Sequence, residues 1–232
     1  PASDIGRLIV ESGFSRIPAY EGSADNIIGV VYAKDTANFI ANRIGVYSIY
    51  KGIQHMIDMG MTVEEVDSVA GPATARPKSA AFRTADLVGL DVLAHVGNNS
   101  YASLPDDEER EVFKLPEFMA AMIDQGKLGN KAGQGFYKKE MVDGRRQIFY
   151  YDYNSGDYLP LAKPKFASVQ MVKQVDDPRQ RLKTILGGTD RGAEYAWKSL
   201  RDSLIYTFNR IPEVADDVVN IDNAMRWGFN WE

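Results

Sequence analysis

A chain of 232 residues, 44% hydrophobic and 25% charged, has the composition of a soluble globular protein of one large or two small domains. The absence of cysteine excludes disulfides, thiolate chemistry and a cysteine zinc site, and it suits a reducing cytoplasm. The formal charge of −5 argues against a nucleic-acid surface, and no apolar run is long enough to cross a bilayer.

In chain order, Asp4 to Ser12 predicts a short helix stopped at Gly13. Ser15–Tyr20 and Asn26–Ala33 predict two strands around a polar turn. The stretch from Asp35 to Gly60 predicts a long helix around which the rest is organised. Ile40, Ile44, Tyr47, Tyr50, Ile53 and Ile57 recur at steps of three or four, Asp35 and Thr36 offer caps, and Gly60 stands at the stop. A second stripe of Asn38, Asn42, Gly45, Ile49 and Gly52 runs along the same helix. Small residues in line admit a close backbone or a ligand, so this stripe is either a helix-packing seam or part of a site.

Thr62 followed by Glu65 forms a capping box that predicts a helix from Val63, ended by Gly71-Pro72. A loop follows, then a helix from about Thr84 with Leu87, Leu90, Val92, Leu93 and Val96 on its apolar face. Pro105 to Glu108 reopens helix with acids in the first turn, where the helix dipole favours them. Pro116 opens another, burying Phe118, Met119, Met122 and Ile123 and ending at Gly126. Gly129, Gly133 and Gly135 punctuate a turn into a strand; their spacing is not that of a nucleotide-binding loop. A β-hairpin turns at Asn154-Ser155-Gly156, and a proline-interrupted linker follows. Asp177-Pro178 caps a helix to Leu186, and a long helix runs from Thr189 to Asn209 with Ala193, Trp197, Leu200, Leu204 and Phe208 on one face.

An offset of 155 residues carries Asp67 onto Asp222. The same offset carries Ile49, Ile53, Met56, Met59, Val63 and Val66 onto Leu204, Phe208, Ile211, Val214, Val218 and Ile221. One helix–helix unit is therefore expected twice, with the second copy cut off at Trp231-Glu232.

VVYAKDTANFIANRIG, RPKSAAFRTADLVGLDVLAHV and GKLGNKAGQGFYKK, in that order, resemble the C-terminal domain of bacterial 3-hydroxyacyl-CoA dehydrogenases. DDVVNIDNAMRWGFNWE resembles the start of a second copy, as in long multidomain forms of that family. The resemblance implies a mainly α fold, a helical bundle that dimerises and closes the substrate cleft over a Rossmann domain. It also implies NAD, a 3-hydroxyacyl-CoA substrate and fatty-acid β-oxidation. The family's catalytic histidine and glutamate and its NAD loop have no counterpart here, so no cofactor is expected on this chain alone. Asn42 matches the asparagine of the family's F-I-x-N-R motif, which implies a place in the cleft near the substrate. His55 and His95 match no catalytic signature and are expected to be exposed or locally bonded. Residues 1–34 resemble part of a cystathionine-β-synthase (CBS) domain, a module that senses adenosine ligands.

The expected organisation is a CBS-like α/β segment over 1–34, the dehydrogenase-type helical domain with its β-hairpin over 35–160, and a linker with the truncated second copy over 161–232. The expected function is that of a cytoplasmic dehydrogenase fragment, a homodimer inactive alone, with neither nucleic acid nor membrane as partner. Two rivals stand beside it: a CBS-like module binding an adenine nucleotide, and a helical dimerisation domain without chemistry.

Overall fold

The computed structural model describes residues 16–21, 23, 26–32 and 40–231. The helix expected over Asp4–Ser12 and the caps expected at Asp35 and Thr36 lie outside these residues. Strands β1 (Arg16–Tyr20) and β2 (Ile27–Tyr32) pair antiparallel, Arg16 opposite Tyr32, with a register shift between Ala19 and Tyr20.

Helix α1 spans Ile40–Asp58 and sits at the centre. Ile44, Tyr47, Tyr50 and Ile53 are each 1% exposed, and burying each such side chain contributes roughly 1.5–3 kcal/mol. Ile40 is only half-buried and Ile57 is 44% exposed, so the stripe loosens at both ends. Gly60, at φ +57°, takes the left-handed turn that ends the helix. Helix α2 (Val63–Val69) starts on the predicted capping box: Thr62 Oγ1 accepts from the Glu65 N–H at 3.2 Å, and Glu65 Oε2 accepts from the Thr62 N–H at 2.9 Å.

Two expectations in the next segment need correction. The helix foreseen from Thr84 is two, α3 (Phe82–Val88) and α4 (Leu90–Ser103), because Gly89 adopts φ +101°, which no helix accommodates. Leu90 and Leu93 are buried, but Leu87 and Val92 are 65% and 43% exposed. No helix forms at Pro105–Glu108; only a 3-10 turn over Arg110–Phe113 follows, and Asp107 instead reaches inward to Arg43 while Glu108 pairs with Arg210.

Helix α5 (Glu117–Asp124) buries Met119 and Met122 and leaves Phe118 and Ile123 half-buried. A three-stranded antiparallel sheet follows, β3 (Tyr137–Val142), β4 (Arg145–Tyr151) and β5 (Tyr158–Pro160), in that spatial order. Its second turn is the predicted one, with Asp152 accepting from the Ser155 hydroxyl at 2.8 Å. The expected linker is strapped to α2, since the Ala162 N–H donates to Glu64 Oε2 at 3.0 Å, and it leads into α6 (Ala167–Met171). Helix α7 (Pro178–Leu186) begins at its Asp177 cap, and α8 (Arg191–Asn209) at Asp190, which also accepts from the Ser168 hydroxyl at 2.7 Å. Helix α9 (Val218–Phe229) is capped by Asp217.

The face foreseen for α8 is largely the wrong one. Trp197, Leu204 and Phe208 are 53%, 66% and 72% exposed, while Ala193, Tyr195, Ala196, Ser203 and Tyr206 are buried. The 155-residue offset explains this. Ile205, 55% exposed, corresponds to Tyr50, which α4 covers, its hydroxyl donating to the Leu93 carbonyl at 3.3 Å. Among the described residues nothing equivalent to α4 lies over α8. What holds α8 is its other side, laid along α1.

The two helical units are exchanged across their junction. Helix α1 packs against both α8 and α9, and α8 packs against α2, so each long helix carries the other unit's short one.

Candidate functional site

Asn42 lies in the first described turn of α1 and is half-buried. The small-residue stripe it heads is closed by the second helical unit. A Cβ on Gly45 would run into the Phe229 ring of α9. One on Gly52 would lie 2.8 Å from the Tyr195 hydroxyl of α8, which donates to the Gly52 carbonyl at 3.3 Å. Gly45 and Gly52 thus serve helix packing, while Asn38 lies outside the described residues.

Beside Asn42, Arg43 is fully buried. Its guanidinium donates to Asp107, to Glu213 at 3.2 Å and to the Tyr206 hydroxyl, and that hydroxyl donates to Asp107 Oδ2 at 2.7 Å. Arg210 joins from the end of α8, 3.2 Å from Asp107 and 3.0 Å from Glu213. The Tyr206 ring stacks on Tyr47 with centroids 3.7 Å apart. Burial and the neighbouring carboxylate keep the Tyr206 phenol protonated well above neutral pH. Sequence reasoning passed over Arg43, although it stands one turn before Tyr47 on the buried stripe; a cation there implies a buried carboxylate elsewhere.

The histidines divide. His95 is exposed and within 3.0 Å of the Asn99 side chain, as a locally bonded histidine should be. His55 departs from that expectation: it is buried, and Nε2 lies 2.7 Å from Asp202 of α8, 147 residues away. Its pKa is lowered by burial, against the opposing pull of Asp202.

Two further carboxylates hold the motifs together. Asp67 accepts from the N–H groups of Ala81, Phe82 and Arg83 at 3.1, 2.8 and 3.3 Å, and from the Tyr137 hydroxyl at 3.0 Å. Asp86 accepts from the N–H groups of Phe136 and Tyr137 at 2.8 and 2.9 Å. Burial pushes both acids up to about 6. The glycines of the 129–135 turn serve this arrangement: a Cβ on Gly129 would lie 2.5 Å from the Asp86 carbonyl oxygen, and one on Gly135 would strike the Asp86 carboxylate. At this turn they leave no cradle for a dinucleotide phosphate. Among the described residues no group of three histidines, aspartates or glutamates could hold a metal. No described helix is long and apolar enough to cross a membrane.

Residues 39–139, from the start of α1 through the glycine turn into β3, match the family model described as 3-hydroxyacyl-CoA dehydrogenase, C-terminal domain. Over this segment the chain is similar to a 3-hydroxyacyl-CoA dehydrogenase C-terminal domain. The chain is 44% identical over 210 residues to a probable 3-hydroxyacyl-CoA dehydrogenase of Bacillus subtilis (strain 168), covering 90% of this chain and 26% of that protein. It is 49% identical over 121 residues to a protein of the same description from Deinococcus radiodurans, covering 52% of this chain and 34% of the relative. A putative fatty acid oxidation complex trifunctional enzyme of Rickettsia prowazekii is 22% identical over 203 residues, covering 87% of this chain and 27% of its own length. The chain thus spans about a quarter to a third of these relatives. No solved structure matches it. The signature segments carry a framework whose carboxylates, Asp67 and Asp86, bind backbone N–H groups.

Proposed function

We propose that this chain supplies the helical, cleft-closing and dimerising part of an NAD-dependent 3-hydroxyacyl-CoA dehydrogenase of fatty-acid β-oxidation, and that it is inactive alone. The observation that carries this reading is the match of residues 39–139 to that enzyme family's C-terminal domain. The descriptions of the Bacillus and Rickettsia relatives support the substrate class and the pathway. NAD and the base that takes the hydroxyl proton belong to a nucleotide-binding part of the full enzyme. This chain's contribution to the site is Asn42, whose amide bonds the substrate near its reacting carbon. The buried pairs to α8, and the packing of Phe229 of α9 on Gly45, hold the helix that presents it.

The test is reconstitution. The chain alone, assayed for acetoacetyl-CoA-dependent NADH oxidation, should give no rate. Joined after a nucleotide-binding domain of the same family, it should give turnover. A rate from the isolated chain that scales with its concentration would overturn the assignment. Saturable binding of an adenine nucleotide to the isolated chain would instead favour the regulatory reading.

A further inference from the structure

The second helical unit repeats the first in structure as well as in sequence. Helix α2 begins at Val63 and α9 at Val218, 155 residues further on, and their caps work alike. Thr62 Oγ1 accepts from the Glu65 N–H at 3.2 Å, and Asp217 Oδ1 accepts from the Asn220 N–H at 2.9 Å. One offset relates both helix starts, both caps and both donors. Amphipathic periodicity alone does not impose that, so the two stretches are one unit used twice.

The units differ in what is covered. Tyr50, Ile53 and Val63 are 1%, 1% and 0% exposed, whereas their counterparts Ile205, Phe208 and Val218 are 55%, 72% and 49% exposed. Trp197 and Leu204 extend this exposed apolar surface along α8. In the first unit α4 lies on α1, burying the stripe of Leu90, Leu93, Ala94, Gly97 and Ser100. Gly97 provides the notch for close approach, since a Cβ there would stand 2.7 Å from the Tyr50 hydroxyl. Among the described residues no helix does for Ile205 what α4 does for Tyr50. A run of large apolar side chains left in water on one helix face marks a contact surface.

We propose that the outer face of α8 seats an amphipathic helix of the α4 kind, supplied by the longer polypeptide after α9, as α4 follows α2. Its contact stripe carries leucines and small residues at the spacing of Leu90, Leu93, Ala94 and Gly97, and lies over Ile205 and Phe208. Ile205 lacks the phenol of Tyr50, so the seat is apolar there and asks its occupant for no hydrogen-bond acceptor. The length of the relatives accommodates such a segment, because 90% of this chain matches only 26% of the Bacillus protein. This seat follows from the repeat and is independent of the dehydrogenase assignment.

The experiment extends the 232-residue chain with a second copy of residues 78–103 after Glu232. That copy continues the 155-residue register, because Glu232 is the counterpart of Pro77. Relative to the unextended chain, hydrogen exchange over 203–209 should slow by about tenfold or more, and Tm should rise by about 2–5 °C. Fluorescence of the apolar dye ANS should fall. Leu93→Asp in the added copy, or Phe208→Asp in α8, should remove all three effects. Phe208→Asp should leave the Tm of the unextended chain unchanged, since Phe208 is exposed there. Unchanged exchange over 203–209 in the extended chain would overturn the proposal. So would a homodimer of the unextended chain that Phe208→Asp dissociates and the extension leaves intact, because the face would then belong to a second copy. Should the extended chain fail to fold, a peptide of residues 78–103 added to the unextended chain decides: saturable slowing over 203–209 sustains the seat, and no slowing overturns it.

Discussion

His55 in the last turn of α1 and Asp202 in the middle of α8 meet at 2.7 Å. Under the 155-residue offset, Asp202 occupies the place that Tyr47 holds in the first unit. The pair is thus not a repeated feature but one made by the junction. It converts a histidine without catalytic signature into a fastening.

That fastening predicts a pH dependence. Burial lowers the His55 pKa below its ordinary value of 6.5, although Asp202 and Asp58 favour the charged form and Lys51 opposes it. The unfolded chain then takes up the proton more readily than the folded one, so stability falls as pH drops below about 6.5. Asp67 and Asp86, raised to about 6, act in the opposite sense, so the His55 contribution is read as a difference: the Tm of the chain relative to that of His55→Gln should decline from about pH 7.5 to 5.5. Asp202 acts in a separate window: despite its burial, bonds from Arg201 and His55 hold its pKa below the usual carboxylate value, so its contribution is lost only at lower pH.

The buried cluster around Arg43 should be the most sensitive point of the chain. Arg43→Ala leaves Asp107 without its main partner in a dry interior and should cost about 3–5 kcal/mol by denaturant unfolding. Replacing Arg43 by Met and Asp107 by Leu together removes both charges and should cost less than the sum of the single changes. Additive single and double losses would mean that the two charges act separately.

Gly45→Ala should loosen α9 without disturbing the first unit. The new methyl group overlaps the Phe229 ring and should cost about 1–3 kcal/mol. Hydrogen exchange should speed up over 218–229 and stay unchanged over 63–103. Combining the change with Phe229→Ala should abolish most of its cost, since the obstructing ring is then gone.

Asn42→Ala tests the proposed site in the reconstituted enzyme. Turnover should fall by about ten- to a hundredfold, equivalent to ~1.4–3 kcal/mol of transition-state stabilisation. Stability should change by less than about 1 kcal/mol, because Asn42 is half-buried, off the main apolar stripe, and alanine favours helix. Unfolding with full activity per folded molecule would make Asn42 a packing amide.

The elements that the sequence by itself determined are those set by local chemistry. The α1 stripe, the Thr62–Glu65 capping box, the stops at Gly60 and Gly126, the Asp177-Pro178 start and the turn at Asn154–Gly156 each depend on neighbours within a few residues. The likeness to the dehydrogenase C-terminal domain was legible for the same reason, in segments whose order and spacing are themselves sequence. Tertiary structure alone decided which surfaces met. Helix α8 carries two usable faces, one of Trp197, Leu204 and Phe208, the other of Ala193, Ala196, Ser203 and Tyr206. Hydrophobicity selects the first, and contact with α1 selects the second. The reason is physical: apolar patterning says that a face can be buried, whereas burial requires another element to cover it. Arg43 and His55 obey the same rule. The type of a charged residue gives no sign of the carboxylate that the fold places beside it from more than sixty residues away along the chain.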